Sequence, residues 1–111
     1  MTLTSKPLAG GVLSTSTSPI YEPVNPALGG VVKFFTLMNG HDAYPVTVNV
    51  FVERGGQDRR ICPKNLILDP GDTLVVLEES EEIGLRRDTR IKADASISDV
   101  VEYYLGGDEE T

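Results

Sequence analysis

The chain has 111 residues, a formal net charge of −7, no Trp and one cysteine. Its length fits a single domain of the usual ~100–200 residues. The negative charge excludes a phosphate backbone or an anionic membrane surface as natural partner, since both need clustered Lys and Arg; the lone Cys62 excludes an internal disulfide framework and a multi-cysteine zinc site.

The opening "MTLTSKPLAGGVLSTSTSP" carries neither the basic n-region nor the continuous apolar h-region of a secretory signal. No segment reaches the ~18–20 apolar residues of a membrane span, so the expectation is a chain folded in a cytoplasm. Residues 1–19, rich in Thr, Ser, Gly and Pro, read as an extended N-terminal arm with room for one short strand near Val12. In "SPIYEPVNPALGG" the three prolines confine any strand at Ile20–Glu22 to a short edge position. "GVVKFFTLMN" is the first firm strand. Val32, Phe34, Thr36 and Met38 alternate there with Val31, Lys33, Phe35 and Leu37, so both faces are apolar and the strand is expected to be covered on both sides.

"GHDA" then turns the chain into "YPVTVNVFVERGG". Val46, Val48, Val50 and Val52 recur at every second position, which puts all four on one face of an extended strand. Gly55 and Gly56 supply the positive φ of the next turn. "RRICPKNLIL" holds one or two short strands interrupted by Pro63. "DPGD" predicts a type II turn, with Pro70 presetting φ and Gly71 taking the positive φ. "TLVVLEE" is a strand, "SEEIGL" carries a kink or bulge at Gly84, and "DTRIKADA" and "DVVEYYLGG" supply the last two strands. Residues 107–111 read as an acidic tail.

The pattern is about seven to eight short strands separated by Gly, Pro, Asn and Asp clusters, with no amphipathic helical period. It predicts an all-β fold, an antiparallel β-sandwich of jelly-roll or Ig-like type over residues 20–106, preceded by the arm. The four valines form one inner face of a two-sheet core.

A search for chemistry finds no catalytic constellation. His41 lies in the turn "NGHDAY" and reads as a solvated turn residue. Arg59 and Arg60 precede Cys62 and would lower its pKa, but a small buried hydrophobe is the simpler role. The run "EESEE" at 78–82 lacks the alternate oxygen spacing and glycine turn of a calcium loop, and reads as a solvated strand end. "DPGD" and "GGDEE" are turn and tail chemistry. The glycine pairs precede no Lys-Ser/Thr helix and match no GxGxxG spacing, and the basic pairs "RRIC" and "LRRD" make no nucleic-acid patch. No catalytic, cofactor-binding or metal-binding residue is assigned.

The order of "SPIYEPV", "VVKFFTLMN", "PVTVNVFVERGG" and "LILDPGDTLVVLEESEEIGLRRDTRIKADASISDVVEYYLGGDE" resembles a group of small β-sandwich structural proteins of tailed-bacteriophage virions, over about three-quarters of the chain. One departure is "RRDT", where Arg87 stands in place of the usual glycine. The resemblance implies a non-enzymatic virion component assembled in the host cytoplasm: a capsid decoration (cement) protein that binds and stabilises the head shell. The alternatives are a head–tail connector, neck or accessory tail protein, and a virion-displayed carbohydrate-binding adhesive module using Tyr21, Tyr44, Tyr103 or Tyr104. The implied partners are the major capsid protein or neighbouring virion proteins, and sibling copies in a trimer or ring. A loose arm can order on a neighbour by strand addition, which marks Leu8, Val12, Leu13, Ile20 and Tyr21 as candidate partner contacts. A small hydrolase based on His41 is the competing enzymatic reading.

Overall fold

The computed structural model describes residues 3–22, 30–77, 83–85 and 89–110. The acidic run 78–82 and the Arg87 turn lie outside the described residues. Among those described the chain is all β, without helix, and its strands follow in order as β1 (Leu3–Val12), β2 (Ser18–Tyr21), β3 (Gly30–Asn39), β4 (Val46–Arg54), β5 (Gln57–Arg60), β6 (Leu66–Leu68), β7 (Thr73–Val75), β8 (Ile83–Leu85), β9 (Thr89–Ala95) and β10 (Val101–Glu110).

Two antiparallel sheets pack together. Sheet A runs β1-β10-β3, and the far edge of β3 is shared by β7 at one end and β8 at the other. Sheet B runs β2-β9-β4, and the far edge of β4 is shared by β5 and β6. The central strand β4 follows from its period of two: Val46, Val48, Val50 and Val52 are buried, and Thr47, Asn49, Phe51 and Glu53 are only partly so. β9 repeats the alternation, burying Thr89, Ile91, Ala93 and Ala95. Phe35, Leu37, Val101 and Leu105 of sheet A and Leu13 join Val46, Val48, Val50, Ile91, Ala93 and Ala95 in one core cluster. Each buried aliphatic side chain contributes about 1.5–3 kcal/mol.

Local chemistry sets the turns. Gly55 and Gly56 both have positive φ and join Arg54 to its partner Gln57 in a two-residue hairpin, the geometry that matches strand twist best. In "DPGD" the Asp72 amide donates to the Asp69 carbonyl at 2.9 Å, and Gly71 has φ 82°. That is the type II turn expected. β2 is an edge strand with Pro19 beside its irregularity, as three nearby prolines require.

Three expectations change. Residues 3–12 are extended, but they pair along β10 from Leu3↔Glu110 to Val12↔Glu102. The acidic residues Asp108 to Glu110 are part of that strand, not a separate tail. The strand "TLVVLEE" shortens to Thr73–Val75. The reason is common to the first two: the polar composition that reads as arm and tail is that of an edge ladder, whose pairing rests on backbone groups.

β3 also switches face midway. Val32, Phe35, Leu37 and Asn39 are buried, so the alternation skips one residue at Lys33. The cause lies in β10, where the register shifts between Gly106 and Gly107. A Cβ on Gly107 would sit 2.0 Å from the Val31 carbonyl oxygen. Only glycine lets the two backbones approach this closely.

Candidate functional site

The residues that suggested chemistry are held in structural roles. The Nδ1 atom of His41 accepts hydrogen bonds from the Ala43 and Tyr44 amides at 3.0 and 3.1 Å. That nitrogen closes its own turn and is not offered to a nucleophile. Cys62 lies in the β5–β6 loop, half-buried against the core, and burial pushes its thiol pKa up. The neighbouring arginines do not reverse that direction, because the Arg60 guanidinium lies over the Phe51 ring at 4.7 Å and bonds Asn49. Among the described residues no three His, Cys, Asp or Glu side chains gather to hold a metal.

The two sheets present opposite characters to their surroundings. The outer side of sheet B carries a polar lattice, with the exposed Ile67 beside it. Asn49 donates to Asp94 at 2.9 Å and to Asn65 at 3.1 Å, and Thr17 donates to Asp94 at 2.5 Å. Further along the same strands Glu53 accepts Lys92 at 2.5 Å and forms an ion pair with Arg90 at 3.4 Å, and Lys92 also reaches Asp58 at 3.4 Å. The Lys92 hydrogen bond holds the Glu53 carboxyl below its ordinary pKa, and Glu53 in turn raises that of Lys92. Most of these groups pair with one another, while the buried Arg90 Nε has an ion-pair contact with Glu53 but no hydrogen bond.

The outer side of sheet A is apolar. The register places Val12, Glu102, Met38 and Thr73 in one row across β1, β10, β3 and β7, with Gly10, Tyr104, Thr36 and Val75 in the next and Gly106 beside Phe34 beyond. Phe34 is 46% exposed, Val75 51% and Tyr104 43%. The Phe34 and Tyr104 rings meet edge to face with centroids 5.5 Å apart. Beside this aromatic ridge an open groove of about 500 Å³ runs over Gly10 and Gly11, walled by Val12, Met38 and Tyr104, with the Glu102 side chain at its lip. Contiguous exposed apolar surface of this kind marks an interaction site more often than chance.

No family model, no curated protein and no solved structure matches the chain.

The five residues expected at a partner contact divide sharply. Leu13 and Tyr21 are buried in the chain's own core, and Leu8 and Ile20 pack against it. Val12 alone lies largely at the surface, in the apolar groove. Phe34, Met38, Val75 and Glu102 were not expected at a contact, and Tyr104 was expected only as a sugar-binding face. Their signal was present in β3, whose second apolar row is more than one core can use. Expected to be covered on both faces, β3 has its outer row open in the isolated chain.

Proposed function

We propose that the chain is a non-enzymatic structural protein of bacteriophage virions, a decoration protein that grips the head shell through contacts with the major capsid protein and with sibling copies. The observation that carries this reading is the exposed, largely apolar face of sheet A around Phe34, Val75 and Tyr104. Two further features support it. The strand order β1-β10-β3-β7/β8 against β2-β9-β4-β5/β6 supports reading the sandwich as a jelly roll, an architecture frequent in viral capsid and lectin domains. The motif order resembles virion proteins along most of the chain. Among the described residues β1 is the terminal strand of sheet A, the position suited to strand addition by a neighbour.

The test is quantitative mass spectrometry of purified particles from the source of the sequence, with immunogold labelling by antibodies to the recombinant chain. A decoration role gives on the order of hundreds of copies on the head, whereas a connector ring gives about a dozen at the neck. Absence from the particles sinks the reading. The carbohydrate-binding alternative draws on the exposed Tyr104 and Tyr44; a glycan-array signal lost on changing either tyrosine would favour it.

A further inference from the structure

We infer that Asn39–Gly40 is a covalent modification site, a deamidation step that the native fold holds off and that unfolding releases. The inference concerns the chain itself and does not depend on the virion reading. The sequence holds four asparagines, Asn25, Asn39, Asn49 and Asn65, followed by Pro26, Gly40, Val50 and Leu66. Deamidation begins when the backbone nitrogen of the following residue attacks the side-chain Cγ. Pro26 has no N–H to lose, and the side chains of Val50 and Leu66 crowd the approach. Gly40 has no Cβ in the way and the freest backbone of the four.

The step balances without oxidant or reductant. The Gly40 amide gives its proton to hydroxide, its nitrogen bonds to Asn39 Cγ, and the Cγ–Nδ2 bond breaks with loss of ammonia. Water then opens the succinimide ring at either carbonyl. One opening leaves an aspartate at position 39. The other leaves an isoaspartate, with an extra methylene in the main chain.

In the native chain the groups of that reaction are engaged elsewhere. The Gly40 amide donates to the Val100 carbonyl at 2.8 Å. The leaving nitrogen, Nδ2, donates to the Tyr44 and Leu68 carbonyls at 3.1 and 2.9 Å, and Oδ1 accepts from the His41 amide at 2.8 Å. Gly40 itself is exposed, so water is at hand; what the fold withholds is the Asn39 side chain, which is fully buried. Its partners lie on the 41–44 turn and on β6, and that of Gly40 just before β10. Cγ can swing onto the Gly40 nitrogen only when these contacts part together, an opening that involves both sheets and approaches the global one. The product does not regain the same seat. A carboxylate accepts hydrogen bonds and donates none, so it meets the Tyr44 and Leu68 carbonyls unpaired. The extra methylene of the isoaspartate displaces the Asn39 carbonyl that receives the Gly71 amide at 2.9 Å. Each excursion to the unfolded state thus exposes the chain to an irreversible conversion.

The test incubates the full chain in mildly alkaline buffer, with and without unfolding concentrations of guanidinium chloride, and follows each asparagine by peptide mass spectrometry. In denaturant Asn39 should convert at least about tenfold faster than Asn49 or Asn65. In buffer its conversion should be at least about a hundredfold slower than in denaturant, the ratio set by the opening equilibrium. Gly40→Ala should slow the conversion in denaturant at least about tenfold. Its Cβ would stand 3.1 Å from the Val100 carbonyl oxygen; where that contact prevents folding, the comparison in denaturant is unaffected. Converted chains, separated by ion exchange and returned to buffer, should fail to refold or should unfold at a lower urea concentration than intact ones. A smaller ratio in any of the three comparisons, or converted chains with the urea midpoint of the intact protein, overturns the inference.

Discussion

Asn39 is the residue on which one end of the sandwich turns. It is fully buried, and every polar group it owns has a partner. Its Nδ2 donates to the Tyr44 carbonyl at 3.1 Å and to the Leu68 carbonyl at 2.9 Å, while its Oδ1 accepts from the His41 amide at 2.8 Å. Its backbone bonds Asp72 and Gly71 at 3.0 and 2.9 Å. One amide side chain thus ties β3 of sheet A, the 41–44 turn and β6 of sheet B together. A buried group deprived of its partner costs ~1–3 kcal/mol, more than a typical hydrogen bond contributes. Asn39→Ala should therefore lose about 2–4 kcal/mol in urea unfolding. Asn39→Asp, of the same shape but facing two carbonyls with a carboxylate, should be at least as damaging at neutral pH. A loss under about 1 kcal/mol for both would show that water replaces the side chain without penalty.

At the scale of elements, the ladder between β4 and β9 couples core packing to outer-face charge. The same alternation that buries Val52 and Ile91 turns Glu53 and Lys92 outward, where they pair at 2.5 Å. The pKa of Glu53 is lowered from the ordinary 4.5, chiefly by its hydrogen bond with Lys92. Its contribution to stability is complete above pH 4.5 and disappears as pH falls through the lower, folded-state value. Lys92 is raised from 10.5, chiefly by the bond with Glu53. Its contribution is complete below pH 10.5 and is lost as pH rises through the higher, folded-state value. Urea midpoints followed from pH 7 to pH 2 should fall less steeply for Glu53→Gln than for wild type. Parallel acid limbs would mean that the pair is broken in solution. β4 and β9 were legible because a strict period of two has one structural meaning. The face switch in β3 was not, because "VVKFFTLMN" is apolar in both rows and the instruction to skip Lys33 sits 74 residues away, at Gly107. The exposed apolar row of β3 stayed hidden for the same reason: two apolar rows do not say which one faces out.

At the scale of the whole molecule, the first strand pairs with the last, and this decides how residues 1–19 should be understood. Backbone hydrogen bonds of β1 on β10 contribute about 0.5–1.5 kcal/mol each, but ordering each residue costs about 1–2 kcal/mol, so the ladder alone nearly cancels. What remains is the packing of Leu8 and Ala9 on the core, about 1–3 kcal/mol. Leu13 is a different matter. It lies where the chain crosses between the sheets, 1% exposed, with its amide bonded to Val101 at 2.9 Å and its carbonyl to Asp99 at 3.1 Å. Removing a leucine so placed costs ~2–5 kcal/mol, a large share of the ~5–15 kcal/mol that holds a domain together. Deleting residues 1–12 should thus lower stability by about 1–3 kcal/mol and leave a folded sandwich. Deletion of residues 1–18 should bring the chain close to unfolding at 25 °C. A free arm predicts instead that neither deletion moves the urea midpoint, and that the β10 amides from Val101 to Leu105 keep their hydrogen-exchange protection in both. The contrast also governs any assay of assembly. A chain lacking residues 1–18 that fails to bind a shell has lost its fold before its grip, so only the shorter deletion separates the two.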